Sequence, residues 1–203
     1  NIKINKSILA NTLPRIIESD HNYGMNKDNN GKKALVEFVS ANPTGPLTVG
    51  HGRNAVIGDC VSRILEWNGF TVEREYYFNN AGRQMRILGE SVYVRYMEIL
   101  GNQLAMPDGG YEGEYIKSIA KNIFDEHEAK YENDSNAAIF KDTAELLIFE
   151  DIKKTTDKIG LQFNSFFNEN TLYENKDIEK IIEELDEKNL IYKKDGAVWF
   201  KAT

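Results

Sequence analysis

The sequence predicts an α/β fold, in which parallel strands joined by a helix are followed by a mostly helical region. Residues 34–39 and 70–78 are apolar and rich in β-branched and aromatic side chains, as buried strands are. Between them, apolar residues recur at helical spacing after a loop that contains Pro and Gly. The span of residues 34–77 suits a strand–helix–strand unit, whose strands then pair in parallel through a right-handed crossover.

The composition indicates a globular chain with a packed core. Its 203 residues suffice for one large or two small domains, and 41% of them are hydrophobic. The net charge of −7 argues against binding nucleic acid by bulk electrostatics, although 25 Lys and Arg residues leave room for a local basic patch. No apolar run reaches the length of a membrane span and no signal peptide is visible, so we expect a cytoplasmic protein without membrane contact.

The first 33 residues are predicted to be a linker from a missing upstream domain. Residues 1–4 resemble a short strand, residues 7–17 have a weak helical pattern that Pro14 limits, and residues 18–33 are polar. Because the chain begins with Asn and ends directly after a strand-like run, we expect it to be a piece of a longer protein.

Residues 36–54, with the sequence VEFVSANPTGPLTVGHGRN, predict a binding site for an anion. The strand ends in a loop shaped by two Pro and one Gly, and a helix is expected to begin at Gly50. Free N–H groups at a helix N-terminus and the helix dipole both favour negative charge. Gly50 and Gly52 have no Cβ, so a phosphate can come close, and His51 lies between them. On spacing alone, a turn with His51 as a helix-capping residue fits equally well.

The predicted helix runs to Gly69, which supplies a stop signal. Its apolar residues at helical spacing are Val56, Ile57, Cys60, Val61, Ile64 and Leu65. Cys60 is the only cysteine of the chain, which excludes an intramolecular disulfide and a cysteine-cluster metal site. Its place on the apolar face predicts a small core residue.

Glu37, Ser40 and Asn42 lie near the carboxyl end of the first strand, where open α/β sheets bind ligands. A carboxylate suits an ammonium group, and Ser and Asn side chains can complete the hydrogen bonds of a polar ligand. The alternatives are a strand-end ion pair of Glu37 with Arg53 or Lys33, and a turn role for Asn42.

Residues 81–203 are predicted to form a mostly helical unit, inserted into the fold that begins with residues 34–80. Helices are expected at residues 84–100, 115–131, 137–159 and 178–188. A strand-like run at residues 163–167 and a hairpin of residues 190–192 and 197–200, around Asp195-Gly196, complete the prediction.

Three blocks of the sequence resemble the arginyl-tRNA synthetases of class I. They are ANPTGPLTVGHGRNAVIGD from residue 41, REYYFNNAGRQ from residue 74, and DGAVWFKAT from residue 195. The resemblance extends over residues 35–203 and implies a Rossmann-like nucleotide-binding half with a connective, mostly helical insertion. It identifies the chain with the N-terminal part of the catalytic domain, before the KMSK-type loop and the anticodon-binding domain.

The resemblance also implies an activity. The whole protein is expected to be a ligase that activates arginine with ATP, giving arginyl-adenylate and pyrophosphate, and then transfers arginine to tRNA(Arg). ATP is expected to act as its Mg²⁺ complex, with no tightly bound cofactor and no protein metal site. This piece alone is expected to be inactive, and a monomer is expected.

The resemblance also implies site residues, from the family's His-x-Gly-His motif, represented here by residues 48–51, and from the strand-end positions that hold the amino acid in the family. The catalytic group is His51, Thr48 and Gly50. The ATP-binding group is Pro46, Leu47, Thr48, Gly50, His51, Gly52 and Asn54. The amino-acid group is Glu37, Ser40, Ala41, Asn42 and His51. Thr48 replaces the first motif histidine, so either a hydroxyl contact with phosphate or a loop-shaping role is open.

Two other functions compete with this interpretation. A different ATP-binding nucleotidyltransferase of the same fold would bind ATP and ignore arginine, because one fold hosts many functions. A non-catalytic helical interaction module would bind neither ligand.

Overall fold

A parallel sheet of three strands, in the order β1-β2-β3, forms the centre of the fold. In the computed structural model, which describes residues 3–202, β1 spans Lys33–Glu37, β2 spans Thr71–Phe78 and β3 spans Ser165–Asn168. Glu37 of β1 lies opposite Glu75 of β2, and Glu75 lies opposite Ser165 of β3. The α/β class and the parallel pairing of the first two strands, both predicted from the sequence, are confirmed.

Helix α2 (Val49–Trp67) connects β1 to β2 and lies against the sheet. Its buried residues are Ala55, Gly58 and Ser62. A Cβ placed on Gly58 would lie 2.2 Å from Cγ of Phe38, so the helix approaches the end of β1 closely. Small side chains therefore form the contact between helix and sheet.

The large apolar residues of α2 face outward. Val56, Ile57 and Ile64 are 60%, 59% and 62% exposed. Cys60 is exposed as well, so the prediction that it is a core residue is wrong. The helical period was interpreted correctly, but the small residues, and not the large apolar ones, form the face that meets the sheet.

An ion-pair network fixes α2 to β2. Arg74 donates to both carboxylate oxygens of Glu66, at 2.6 and 2.9 Å. Arg74 Nε also lies 3.6 Å from a carboxylate oxygen of Asp59. The hydrogen bond from Arg74 is the main reason why the pKa of Glu66 is lowered. Bidentate pairs of this kind are geometrically specific, so they fix the rotation of the helix on the strand.

A helical layer follows the second strand. It comprises α3 (Gly82–Ile99), α4 (Glu114–His127) and α5 (Ala138–Lys158), and α3 packs on both of the others. The sequence predicts that the helix corresponding to α4 ends at residue 131. It ends four residues earlier, at His127, because Glu128 has a φ of 49° and so leaves the helical conformation. Phe149 of α5 contacts Tyr76 and Phe78 of β2, with ring centroids 5.9 and 4.6 Å apart. The helical layer and the sheet therefore share one apolar core.

The last part of the chain contains α6 (Asn170–Glu174), α7 (Asp177–Glu187) and the hairpin of β4 (Ile191–Lys194) and β5 (Ala197–Phe200). Asp195 and Gly196 have φ of 53° and 75°, as a two-residue hairpin turn requires. The strand β3 belongs to the central sheet although it lies within the range assigned to the insertion. The division of the chain at residue 80 stays a prediction.

The chain before β1 contains α1 (Lys6–Ser19), with Pro14 inside it, and a 3-10 turn at Asp20–Asn22. Lys3 and Ile4 are not in a strand, so the predicted strand is wrong at these positions, and Asn1 and Ile2 lie outside the described residues. Within residues 3–202, no helix combines the length and the apolar character that a membrane crossing needs.

Candidate active site at the carboxyl edge of the sheet

The chain leaves β1 through a turn with an uncommon backbone conformation. Val39 and Ser40 have φ of 66° and 44°, which lie in the left-handed region. That region is rare for a β-branched residue such as Val. The N–H of Val39 donates to Oδ1 of Asn54 at 2.6 Å, and the N–H of Tyr77 donates to Oγ of Ser40 at 3.1 Å. Hydrogen bonds from α2 and from β2 thus hold the turn.

Tyr76 supports the next residue of the same segment. Its hydroxyl donates to the carbonyl of Ala41 at 2.8 Å and accepts the N–H of Ala41 at 3.2 Å. The Tyr76 side chain is fully buried, and burial raises the pKa of Tyr76 to about 12. Ala41 is itself buried, so its predicted contact with substrate would use the backbone.

Asn42 joins the turn to the end of β2 and to α3. Its Oδ1 accepts the N–H of Asn79 at 2.9 Å, and its Nδ2 donates to Oε1 of Gln84 at 3.1 Å. These bonds fix the orientation of the amide. The structure therefore gives Asn42 a structural role in the segment beside its predicted role in substrate binding.

Glu37 is exposed at the end of β1. Within the described part of the chain, its carboxylate has no ion pair, so the alternative pairing with Arg53 or Lys33 is not formed. A free carboxylate at the carboxyl edge of a parallel sheet is available to a cationic ligand.

Glu169 extends the same edge and was missed from the sequence. Its two carboxylate oxygens accept from the Tyr77 hydroxyl and from Nδ2 of Asn79, both at 2.8 Å. Burial and then the hydrogen bond to Glu169 raise the pKa of Tyr77 to about 12. Only the pairing of β3 with β2 brings Glu169 to this place, and the strand-like pattern of β3 did not reveal its partner.

The N-terminus of α2 carries Thr48 and His51 in a reciprocal capping box, with Thr48 as the N-cap. The N–H of Thr48 donates to Nδ1 of His51 at 3.0 Å. Because Nδ1 is occupied, Nε2 is the ring nitrogen that remains for a ligand. The capping alternative for His51 is therefore realised, and it leaves the other half of the ring free.

The space above this helix mouth is open. A Cβ on Gly52 would have no neighbour within 4 Å, and one on Gly50 would meet only Thr48 Oγ1, at 3.5 Å. Packing within the described residues thus does not require glycine at either position. Close approach of a ligand gives a physical reason for both.

The loop between the turn and α2 rests on the helical layer. The hydroxyl of Tyr115, on α4, donates to the carbonyl of Thr44 at 2.8 Å. A Cβ on Gly45 would lie 3.0 Å from the same hydroxyl, so this glycine is needed for packing. Leu47 packs against the core, whereas Pro46 is exposed.

The structure brings the predicted residues together in two groups. Glu37, Ser40, Ala41 and Asn42 lie along the sheet edge, and Thr48, Gly50, His51 and Gly52 form the mouth of α2. Asn54 connects the two groups, because its Oδ1 binds the turn that carries Ser40.

Comparison with known proteins gives a consistent result. The family model of class I tRNA synthetases (R), catalytic domain, matches residues 12–202. Curated arginine–tRNA ligases of Desulfotalea psychrophila and Chlorobium limicola are 47% and 46% identical over the whole chain. The chain covers 37% and 38% of the lengths of these relatives, so it spans well under half of each.

Solved structures agree with the sequence comparison. A crystal structure of an arginyl-tRNA synthetase from Campylobacter jejuni matches 97% of this chain and 43% of that chain, with a TM-score of 0.85 and 30% identity. The Plasmodium falciparum arginyl-tRNA synthetase matches 100% of this chain and 36% of that chain, with a TM-score of 0.59 at 17% identity. The second likeness concerns the fold alone.

Proposed function

The chain belongs to the family of class I arginyl-tRNA synthetase catalytic domains, and on this premise we propose that it supplies part of a site that activates arginine with ATP. The observation that carries the proposal is the juxtaposition of two groups of residues. The carboxyl edge of the sheet bears a free carboxylate and fixed polar groups, and the mouth of α2 bears open N–H groups and an imidazole nitrogen.

The mouth of α2 is proposed to bind ATP, as its Mg²⁺ complex. The first N–H groups of a helix and its dipole favour phosphate. Gly50 and Gly52 leave room for that approach, and Nε2 of His51 can donate to a phosphate oxygen. The arginine carboxylate would attack the α-phosphorus in line and pyrophosphate would leave. Positioning of two anions and stabilisation of charge are the main demands of such a step.

The sheet edge is proposed to bind arginine. The free carboxylate of Glu37 suits the α-ammonium group. Ser40 and Asn42, which hydrogen bonds hold to β2 and to Asn79 at its end, provide neighbouring polar groups. Transfer of arginine to tRNA(Arg) is proposed for the whole protein. The monomeric state and the cytoplasmic location stay predictions.

Calorimetric titration of the chain with MgATP and with arginine tests the proposal. His51→Glu keeps the capping box, since Glu is a preferred residue at this position, but it places negative charge where phosphate should bind. We expect a loss of at least about tenfold in ATP affinity with folding unchanged. Glu37→Gln is expected to weaken arginine more than ATP, because it removes the charge without changing the shape.

The controls separate binding from folding. Thermal unfolding of each variant is followed, and Glu183→Gln serves as a matched control because Glu183 is exposed on α7 and forms no ion pair within residues 3–202. If His51→Glu binds MgATP as well as the unaltered chain does, His51 has a capping role only. Equal losses of arginine and ATP in Glu37→Gln would contradict the separation of the two subsites.

A further inference from the structure

Two consecutive non-glycine residues adopt positive φ where β1 ends. Val39 has a φ of 66° and Ser40 a φ of 44°. Crowding between Cβ and the backbone disfavours this conformation, above all for a β-branched residue. Such a conformation persists only where surrounding contacts determine it, and it is often found at functional sites.

The contacts that determine the turn come from two different elements. From β2, the Tyr77 N–H donates to Oγ of Ser40, and the Tyr76 hydroxyl binds the next residue. From α2, Oδ1 of Asn54 accepts the N–H of Val39 at 2.6 Å. The contact made by Asn54 is therefore the side-chain hydrogen bond that joins the turn to the helix.

Loss of the Asn54 acceptor would leave the N–H group of Val39 without this hydrogen bond. The residue is buried, with 8% of its surface exposed, so water has little access to its N–H group. An unpaired buried N–H is costly, and the turn is expected to relax towards an extended conformation when the acceptor is lost. Ser40, the second residue of the turn, would move with it.

The position of Asn54 on α2 links this hydrogen bond to His51. Asn54 lies three residues after His51, almost one helical turn further along the same helix. A single side chain thus connects the helix that carries His51 to the turn that carries Ser40.

We propose that Asn54 is a positioning residue, whose Oδ1 holds the strained Val39–Ser40 turn in place relative to the mouth of α2. The consequence for ligand binding rests on the proposed function, whereas the hydrogen bond does not. The prediction that Asn54 binds ATP would use Nδ2 as a donor. The positioning role uses Oδ1 as an acceptor, so substitution separates the two.

Asn54→Asp keeps an acceptor oxygen and removes the donor, and Asn54→Ala removes both. Amide hydrogen exchange at Val39, followed by NMR, reports the bond directly. We expect exchange to become at least about tenfold faster in Asn54→Ala and to stay slow in Asn54→Asp. Arginine affinity should fall about tenfold in Asn54→Ala and largely recover in Asn54→Asp. A donor role towards phosphate would reverse this order for MgATP, because Asp repels an anion.

Asn68→Ala is the matched control, at the C-cap of the same helix. The Asn68 side chain donates to the Ile64 carbonyl at 2.8 Å, far from the turn, so Val39 exchange and arginine affinity should stay unchanged. Should Asn54→Ala fail to fold, Asn54→Gln replaces it, since the extra methylene displaces the acceptor.

Two results would overturn the proposal: slow exchange at Val39 in Asn54→Ala, or equal loss of protection in Asn54→Asp and Asn54→Ala. If the unaltered chain binds neither arginine nor MgATP, the proposed function fails for this chain. The exchange measurement then still decides whether Asn54 holds the turn.

Discussion

At the scale of single residues, His51 illustrates how a structural and a functional role can share one side chain. The sequence leaves a helix cap and a phosphate contact as alternatives. In the structure Nδ1 serves the cap, which leaves Nε2 for a ligand. The two roles use different ring nitrogens, so neither excludes the other.

Thr48 has a physical explanation at the same scale. Thr is a good N-cap residue, and Thr48 occupies the N-cap of α2. The loop-shaping alternative for Thr48 is therefore supported by the geometry. Its contact with phosphate stays a prediction.

Removal of the Tyr76 hydroxyl tests how much its hydrogen bonds to Ala41 stabilise the chain. Tyr76→Phe leaves the N–H and the carbonyl of buried Ala41 without this partner. We expect the free energy of unfolding at pH 7 to fall by about 1–3 kcal/mol. Urea unfolding measures the change, and Tyr173→Phe is a suitable control because Tyr173 is 52% exposed.

The difference in stability between the unaltered chain and Tyr76→Phe is expected to depend on pH. The pKa of Tyr76 is about 12 in the folded chain against an ordinary value of 10.0. The neutral hydroxyl therefore contributes its full stabilisation below pH 10, and this contribution is lost as the pH rises to about 12. Over that window the stability of the unaltered chain should fall more steeply than that of Tyr76→Phe. Parallel curves would contradict the assignment.

At the scale of elements, the periodicity of apolar residues predicted where the helices lie in the sequence better than it predicted which of their faces are buried. The sequence predicted a helix from Gly50 to Gly69, and α2 spans Val49–Trp67. It could not identify the buried face, because the close approach of helix and sheet selects small residues. Likewise, the strand-like pattern of β3 predicted a strand but not its partner, since pairing depends on contacts distant in sequence.

Two glycines of α2 provide a matched test of that packing. Gly58→Ala would place a Cβ within 2.6 Å of three atoms of Phe38, and we expect a loss of about 1–3 kcal/mol in unfolding free energy. Gly52→Ala meets no neighbour within 4 Å, and we expect a gain of up to about 1 kcal/mol from helix propensity.

The urea midpoints of Gly58→Ala and Gly52→Ala show whether packing or helix propensity determines the effect of each substitution on stability. Opposite signs support close contact of α2 with Phe38. If both substitutions stabilise the chain, the contact is looser than described. Gly52→Ala should also weaken MgATP, because the new methyl group occupies the space proposed for phosphate.

At the scale of the whole molecule, sequence blocks predicted the family and the location of the site, and the family match confirms the first. The strained Val39–Ser40 turn and the position of Glu169 could not be predicted. Both depend on bonds between residues that are far apart in the chain, such as the 92 positions between Tyr77 and Glu169.

The match to the Campylobacter jejuni synthetase places these features in a larger context. That structure aligns with nearly the whole of this chain over 43% of its own length. The described fold therefore corresponds to one part of a longer synthetase. Within this part, the sheet edge and the mouth of α2 are the surfaces to which the proposed function assigns ligands.

Calorimetry with a non-hydrolysable arginyl-adenylate analogue tests whether the sheet edge and the mouth of α2 form one site, because a single ligand must occupy both groups of residues. Lysyl and glutamyl analogues serve as controls of matched adenylate chemistry. The proposed site predicts that the arginyl analogue binds and that the lysyl and glutamyl analogues bind comparably, because Glu37 and the mouth of α2 are assigned to the α-ammonium and phosphate groups that all three share. Absence of binding of the arginyl analogue would contradict the account.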